Sequence, residues 1–158
     1  VPRGSTVFPV EKDDTDTMLA VKRGLELGYR RFVLYGGLDG KRLDHTVANF
    51  QTLGYLASHG GFGFLVGREY LACAFRGGTL QLPAGLRGDF SLFCLGADAL
   101  GVTIRGLHYE AEGVRLTADF PLGVSNHFEG RAASVTAASG TLLALWQTQT
   151  PLPEYAAE

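Results

Sequence analysis

The sequence predicts an α/β fold joined to an all-β one: a partial doubly wound parallel sheet of βαβαβ order, then an antiparallel β-sandwich. Three observations predict it. Short apolar runs alternate with helix-period segments as far as Gly67. From about Glu69 helical periodicity disappears and short alternating runs take over. Glycine supplies 22 of 158 residues, about twice its usual share, which favours the turns and bulges of β structure.

The first five residues, VPRGS, read as the remainder of a thrombin-cleavable tag and stand outside the fold. Thr6–Val10 (TVFPV) is apolar and short enough for a strand, with Pro9 at its end or on an edge. Met18, Val21 and Leu25 recur at helical spacing, which predicts a helix over Thr15–Leu27. Asp13 or Asp14 can cap its start, and Gly28 suits the residue just past its end. Phe32–Tyr35 (FVLY) reads as a buried parallel strand. Asp44–Ser58 reads as a second helix, with Val47, Phe50, Leu53 and Ala57 on one face and Gly60-Gly61 ending it. Phe62–Val66 (FGFLV) completes the unit, and right-handed crossovers make its strands parallel.

Beyond the boundary, expected between Gly67 and Gly78, the runs LQLP, FSLFCL, GVTIRGLHYE, GVRLTADF, ASVTAAS and TLLALWQ read as sandwich strands. The division is residues 6–70 for the α/β part, 71–150 for the sandwich and 151–158 for a tail that docks weakly at most. Three parallel strands fall short of the about five that such a sheet usually carries, so an N-terminal portion is expected to be absent from this chain.

Composition narrows the function classes. The chain is 46% hydrophobic and 19% charged, enough for a core. Its net charge of -2 provides no basic footprint for nucleic acid. No apolar run approaches the ~20 residues that span a bilayer. Cys73 and Cys94 read as small buried hydrophobes rather than a disulfide or zinc framework. The expectation is a cytoplasmic protein without membrane or nucleic-acid partner.

Parallel topology places the loops after the first two strands on one sheet edge, where such sheets bind ligands. One is EKDDTD, with Glu11, Asp13, Asp14 and Asp16 in six positions. These acids either cap a helix or hold Mg²⁺, which takes carboxylate oxygens together with substrate phosphates. The other is GGLDGKRLDH. Its glycine backbone and the following helix start make an anion site, with Lys41 and Arg42 adding charge; a plain turn with solvated cations is the competing reading. The loop is not a P-loop, which needs Ser or Thr after GK. Asp44 is either an N-cap or functional, His45 a first-turn structural residue or a proton carrier, and Asn49 a crevice or solvent residue. In the sandwich, Gly123–His127 (GVSNH) reads as a polar turn, and Trp146 as a packing residue.

Taken together, EKDDTDTMLA, GGLDGKRLDHTVANFQTL, GLHYE and GVSN resemble the thiamine pyrophosphokinase (thiamine diphosphokinase) family over most of residues 11–147. That family pairs an E-K-D-x-T-D segment with G-G-x-x-G-R-x-D-H-x-x-A-N, and carries G-L-x-Y and G-x-S-N in its sandwich. Here Lys41 stands beside Arg42 where Gly-Arg is frequent, and an earlier Gly-Asp-x-Asp-Ser motif has no counterpart. The resemblance implies diphosphate transfer from ATP to the hydroxyl of thiamine, giving thiamine diphosphate and AMP. By the same token, Asp13 and Asp16 would hold Mg²⁺ with Thr15 nearby. Gly36, Gly37, Gly40, Thr15, Lys41 and Arg42 would bind ATP phosphates, and Asp16, Arg42 and Asp44 would be catalytic. Ser125, Asn126, His45, Asn49 and Trp146 would line the thiamine side. A homodimer is implied, with each thiamine site between the α/β part of one subunit and the sandwich of another. Two alternatives are a pterin-alcohol diphosphokinase and a truncated thiamine-binding module without turnover.

Overall fold

The computed structural model describes residues 14–157. The candidate strand Thr6–Val10 and the acids Glu11 and Asp13 lie outside them. In order, the elements are α1 (Asp16–Glu26), β1 (Arg31–Tyr35), α2 (Leu43–Ser58), β2 (Phe62–Val66), β3 (Tyr70–Leu82), β4 (Asp89–Cys94), β5 (Ala99–Arg105), β6 (Ala111–Leu116), β7 (Asn126–His127), β8 (Ala133–Gln147) and β9 (Glu154–Ala156).

Thr15, not Asp13 or Asp14, caps α1: its Oγ1 accepts the Met18 N–H at 3.2 Å. Gly28, at φ +90°, follows the cap at the other end as expected. In α2 the buried residues are Asn49, Thr52, Leu53 and Leu56; of the expected stripe Leu53 is buried and Phe50 packs against the same cluster, whereas Val47 is exposed. Thr52 tolerates burial because its hydroxyl donates to the Ala48 carbonyl at 3.0 Å.

β1 and β2 pair in parallel, Arg31 opposite Phe62 through Tyr35 opposite Val66. β1 is nevertheless not a buried strand. Among the described residues it ends the sheet order, and Arg31, Val33 and Tyr35 are exposed. On its other side β2 pairs antiparallel with β3, so hydrogen bonding continues from the helical part into the all-β part.

Two long strands organise the remainder. β3 and β8 pair along nearly their whole length, with a bulge between Arg76 and Gly78. The C-terminal half of β8 also pairs with β4, and its N-terminal half with β5. The two expected strands ASVTAAS and TLLALWQ are therefore one element. Gly140 makes this possible: at φ +89° a Cβ would sit 2.6 Å from the Asp98 carbonyl oxygen. The first half of β3, Tyr70–Phe75, is a strand that the sequence reading passes over.

The main core lies on one face of these strands. Phe62, Phe64, Leu71, Cys73, Phe75, Phe90 and Trp146 pack there with the inward residues of β5 and β8. The opposite face carries a smaller cluster of Leu53, Leu65, Ala72, Ala74 and Leu143, which seats α2. The terminal segment is docked, contrary to expectation. β9 pairs with β3, and the Tyr155 ring stacks on Phe62 with centroids 4.9 Å apart. Its hydroxyl donates to the Arg76 carbonyl at 3.0 Å.

Candidate functional site

The β1–α2–β2 crossover puts the C-terminal end of β1 beside the start of α1. A cavity of about 950 Å³ opens there. Thr15 and Asp16 line one side of it, and Gly36, Gly37, Gly40, Lys41 and Arg42 another. His45 and Asn49, from the first turns of α2, complete the wall. The structure thus brings the acidic helix start and the glycine loop onto one surface.

Within it, Asn49 is buried and donates from Nδ2 to the Gly37 carbonyl at 2.9 Å. It holds the loop rather than facing solvent. Asp14 also lines the cavity, with its carboxylate held by Lys22 at 2.7 Å. Asp44 is different. It is not on the cavity wall; its carboxylate accepts from Arg42 Nη2 at 2.5 Å and Nε at 3.1 Å, and from the His45 N–H at 3.0 Å. It does not cap α2, whose N-cap is Arg42 without a side-chain bond. The guanidinium hydrogen bond, foremost, holds the Asp44 carboxyl below its usual range, and the same bond raises Arg42.

Among the described residues no three His, Cys, Asp or Glu side chains are placed to hold a metal ion together. The donor chemistry still suits magnesium. That ion is bound through one or two carboxylates plus substrate phosphates, not by an all-protein cage, and Asp16 lines the same cavity as the glycine loop with Lys41 and Arg42.

The all-β part carries a second, smaller cavity of about 290 Å³, called the sandwich cavity after the expected fold; the described strands form one nine-stranded sheet. Ser125 and Trp146 line it with Tyr70, Asp89, Ser91 and Gln147. Ser125 takes φ 63°, sparsely populated for a residue with a side chain, and its N–H donates to Ser91 Oγ at 3.2 Å. Trp146 is only 2% exposed and sits against Phe90, so it serves the core as well as the cavity. Asn126 is not on this wall. Its side chain accepts the Tyr109 N–H at 2.9 Å and donates to the Tyr109 carbonyl at 2.8 Å, tying the GVSN segment to GLHYE.

Tyr70, Asp89, Ser91 and Gln147 escaped the sequence reading. For Ser91 a signal existed. The alternation Phe90, Leu92 inward puts Ser91 and Phe93 on the other face, where the cavity lies.

Residues 81–142 match the family model described as Thiamin pyrophosphokinase, vitamin B1 binding domain. Among curated proteins none matches the sequence. The fold is similar to the thiamine pyrophosphokinase of Bacillus subtilis, with TM-score 0.78 and 22% identity over 89% of this chain and 66% of that one. The Geobacillus thermodenitrificans enzyme gives TM-score 0.75 and 22% identity, over 90% and 66%. Yeast thiamin pyrophosphokinase gives 0.61 and 17%, over 73% and 39%. The chain thus spans just under two thirds of the two bacterial proteins. These findings agree with the resemblance drawn from the motifs: residues 81–142 are similar to a vitamin B1 binding domain, and the mostly β fold with two helices is similar to that of thiamine pyrophosphokinases.

Proposed function

We propose that the chain is the site-bearing part of a thiamine diphosphokinase, which transfers diphosphate from ATP to the hydroxyl of thiamine and releases AMP. One observation carries the reading. A cavity pairing an acidic helix start with a cationic glycine loop occurs in the same chain as a vitamin B1-binding segment.

In this reading the glycine-loop backbone at Gly36, Gly37 and Gly40, with Lys41 and Arg42, binds the ATP phosphates. Asp16, with Asp13 and Thr15 beside it, would hold magnesium, whose charge offsets that of the polyphosphate. The chain's own residues do little covalent chemistry. They orient two substrates in line and restrain the phosphate charge. Asn49 holds Gly37, and His45 borders the same space. Asp44 keeps Arg42 aimed and takes a catalytic part next to it. Ser125 and Trp146 border the thiamine ring, and Asn126 shapes the turn that presents Ser125. The site is completed between two copies of the chain, the glycine loop of one facing the sandwich cavity of the other.

The test is Asp16→Asn in the full-length protein. It should abolish ATP- and Mg²⁺-dependent formation of thiamine diphosphate with the fold intact, and unchanged turnover would overturn the role. The vitamin B1-binding match favours thiamine over a pterin alcohol; calorimetry with both ligands decides between them. A second reading, thiamine binding without turnover, rests on the match being confined to residues 81–142. Thiamine binding with no product from the intact protein would establish it.

A further inference from the structure

Asp39 sits in the glycine loop but lines neither cavity. Both of its carboxylate oxygens accept the backbone N–H of Arg68, at 3.0 and 3.1 Å, across 29 residues of chain. Arg68 lies in the turn between β2 and β3. That turn is clamped from three directions. The Gly67 N–H donates to the Tyr70 carbonyl at 2.9 Å. Thr148, just beyond β8, donates from Oγ1 to the Gly67 carbonyl at 2.8 Å, and from its N–H to the Glu69 carbonyl at 2.9 Å. Gly67 has no room for a side chain: a Cβ would lie 2.9 Å from Asp39 Oδ1 and 3.0 Å from Leu38 Cβ and the Tyr70 carbonyl. The loop and the turn are thus packed face to face.

The turn leads straight into the sandwich cavity. Tyr70, opposite Gln147 in the β3–β8 register, lines it with Trp146. We infer that Asp39 is a positioning residue, through which the state of the glycine loop sets the placement of the β2–β3 turn and so of the Tyr70 side of the sandwich cavity. A carboxylate suits this role. It accepts one amide N–H with both oxygens, and that amide has no other acceptor in the turn's own bonding. An anion drawn into the loop backbone shifts Gly37–Gly40 by whatever its bonds demand, and Asp39 carries that shift to Arg68. The inference rests on the 950 Å³ cavity being a polyphosphate site.

Trp146 is the one tryptophan in the sequence and sits between the core and this cavity, so its emission reports on packing along that wall. The probe is inorganic pyrophosphate with magnesium, added to the full-length protein without thiamine. Calorimetry gives binding, and hydrogen exchange follows the amides of residues 67–70. The wild type should bind the probe, change its Trp146 emission and slow exchange at 67–70. Asp39→Ala should exchange at Arg68 at least about tenfold faster, bind pyrophosphate within about threefold of wild type, and leave Trp146 emission unchanged on binding. Asp39→Asn keeps one acceptor oxygen and should restore most of the emission response, which a generally damaged fold would not. If wild-type protein binds pyrophosphate without an emission change, or Asp39→Ala transmits it undiminished, the inference fails and the polyphosphate site stands. If wild-type protein does not bind pyrophosphate, both fail.

Discussion

Asn49 and Gly37, twelve residues apart, are joined by one hydrogen bond of 2.9 Å from the amide nitrogen to the main-chain carbonyl. Through it α2 fixes the loop that precedes it. A Cβ on Gly37 would meet Leu65 Cδ2 at 2.8 Å and Asn49 Nδ2 at 3.2 Å, so the contact leaves no slack. Asn49→Leu strands the Gly37 carbonyl, and we expect a loss of about 1–3 kcal/mol in urea unfolding. Asn49→Asp, which cannot donate, should lose at least as much. Nucleotide affinity should fall in both, and unchanged affinity would detach Asn49 from the phosphate loop.

The docked terminal segment makes a second prediction. Tyr155→Phe removes the bond to the Arg76 carbonyl and should cost about 0.5–1.5 kcal/mol. Deleting residues 151–158 also uncovers Phe62 and Phe75, both in contact with the Tyr155 ring, and should cost more. Urea midpoints of the two variants, compared with wild type, check the ordering.

The cysteines differ in burial and therefore in reactivity. Burial pushes the Cys73 thiol far above its ordinary range, and pushes Cys94 up as well. With thiolate as the reactive form, a chromogenic disulfide reagent at pH 8 should leave Cys73 untouched in the native protein. Cys94 should react more slowly than a free thiol. Both should react at once in denaturant, and native-state labelling of Cys73 at the denatured rate would contradict the packing.

Asp98 supplies a pH dependence. The Ala118 N–H, then Arg115, hold its carboxyl below the usual carboxylate range. The folded state thus favours the charged form more than the unfolded state does. The resulting stability is complete above the unfolded value of about 4 and is lost as pH falls through the lower folded value. Asp98→Asn should flatten the acid limb of a stability–pH curve while leaving its slope near neutrality unchanged. A carbon-detected titration of Asp98 should give a midpoint below 3.9.

Much of the fold could be read from residues alone, for identifiable reasons. Both helices, the β1–β2 parallel pair and the meeting of Thr15–Asp16 with the Gly36–Arg42 loop follow from periodicity and crossover handedness. The parts that could not be read depend on neighbours. Val33 and Tyr35 look like core residues, but among the described residues β1 ends the sheet and leaves them exposed. In α2 Leu53 and Phe50 face the core as expected, but the buried face is turned toward Asn49 and Thr52, polar residues whose burial is satisfied by hydrogen bonds. Ala72, Cys73 and Ala74 are too small to announce a strand, and Gly140 disguises one long strand as two. The Arg42–Asp44 pair is a contest between partners two residues apart, and only side-chain geometry decides it.

The length of β3 and β8 bears on any attempt to transplant the segment that matches the family model. The span 81–142 begins with the last two residues of β3 and breaks off partway along β8. Excised at those limits, it would forfeit Leu71, Cys73, Phe75, Ala144 and Trp146 from the core that its own Phe90, Leu92 and Val135 occupy. At ~1.5–3 kcal/mol for each large apolar side chain, so great a loss exceeds the margin by which small domains hold together. The span of family similarity and the span able to fold alone therefore have different borders. A chimera with a related enzyme should be spliced no tighter than residues 70–147.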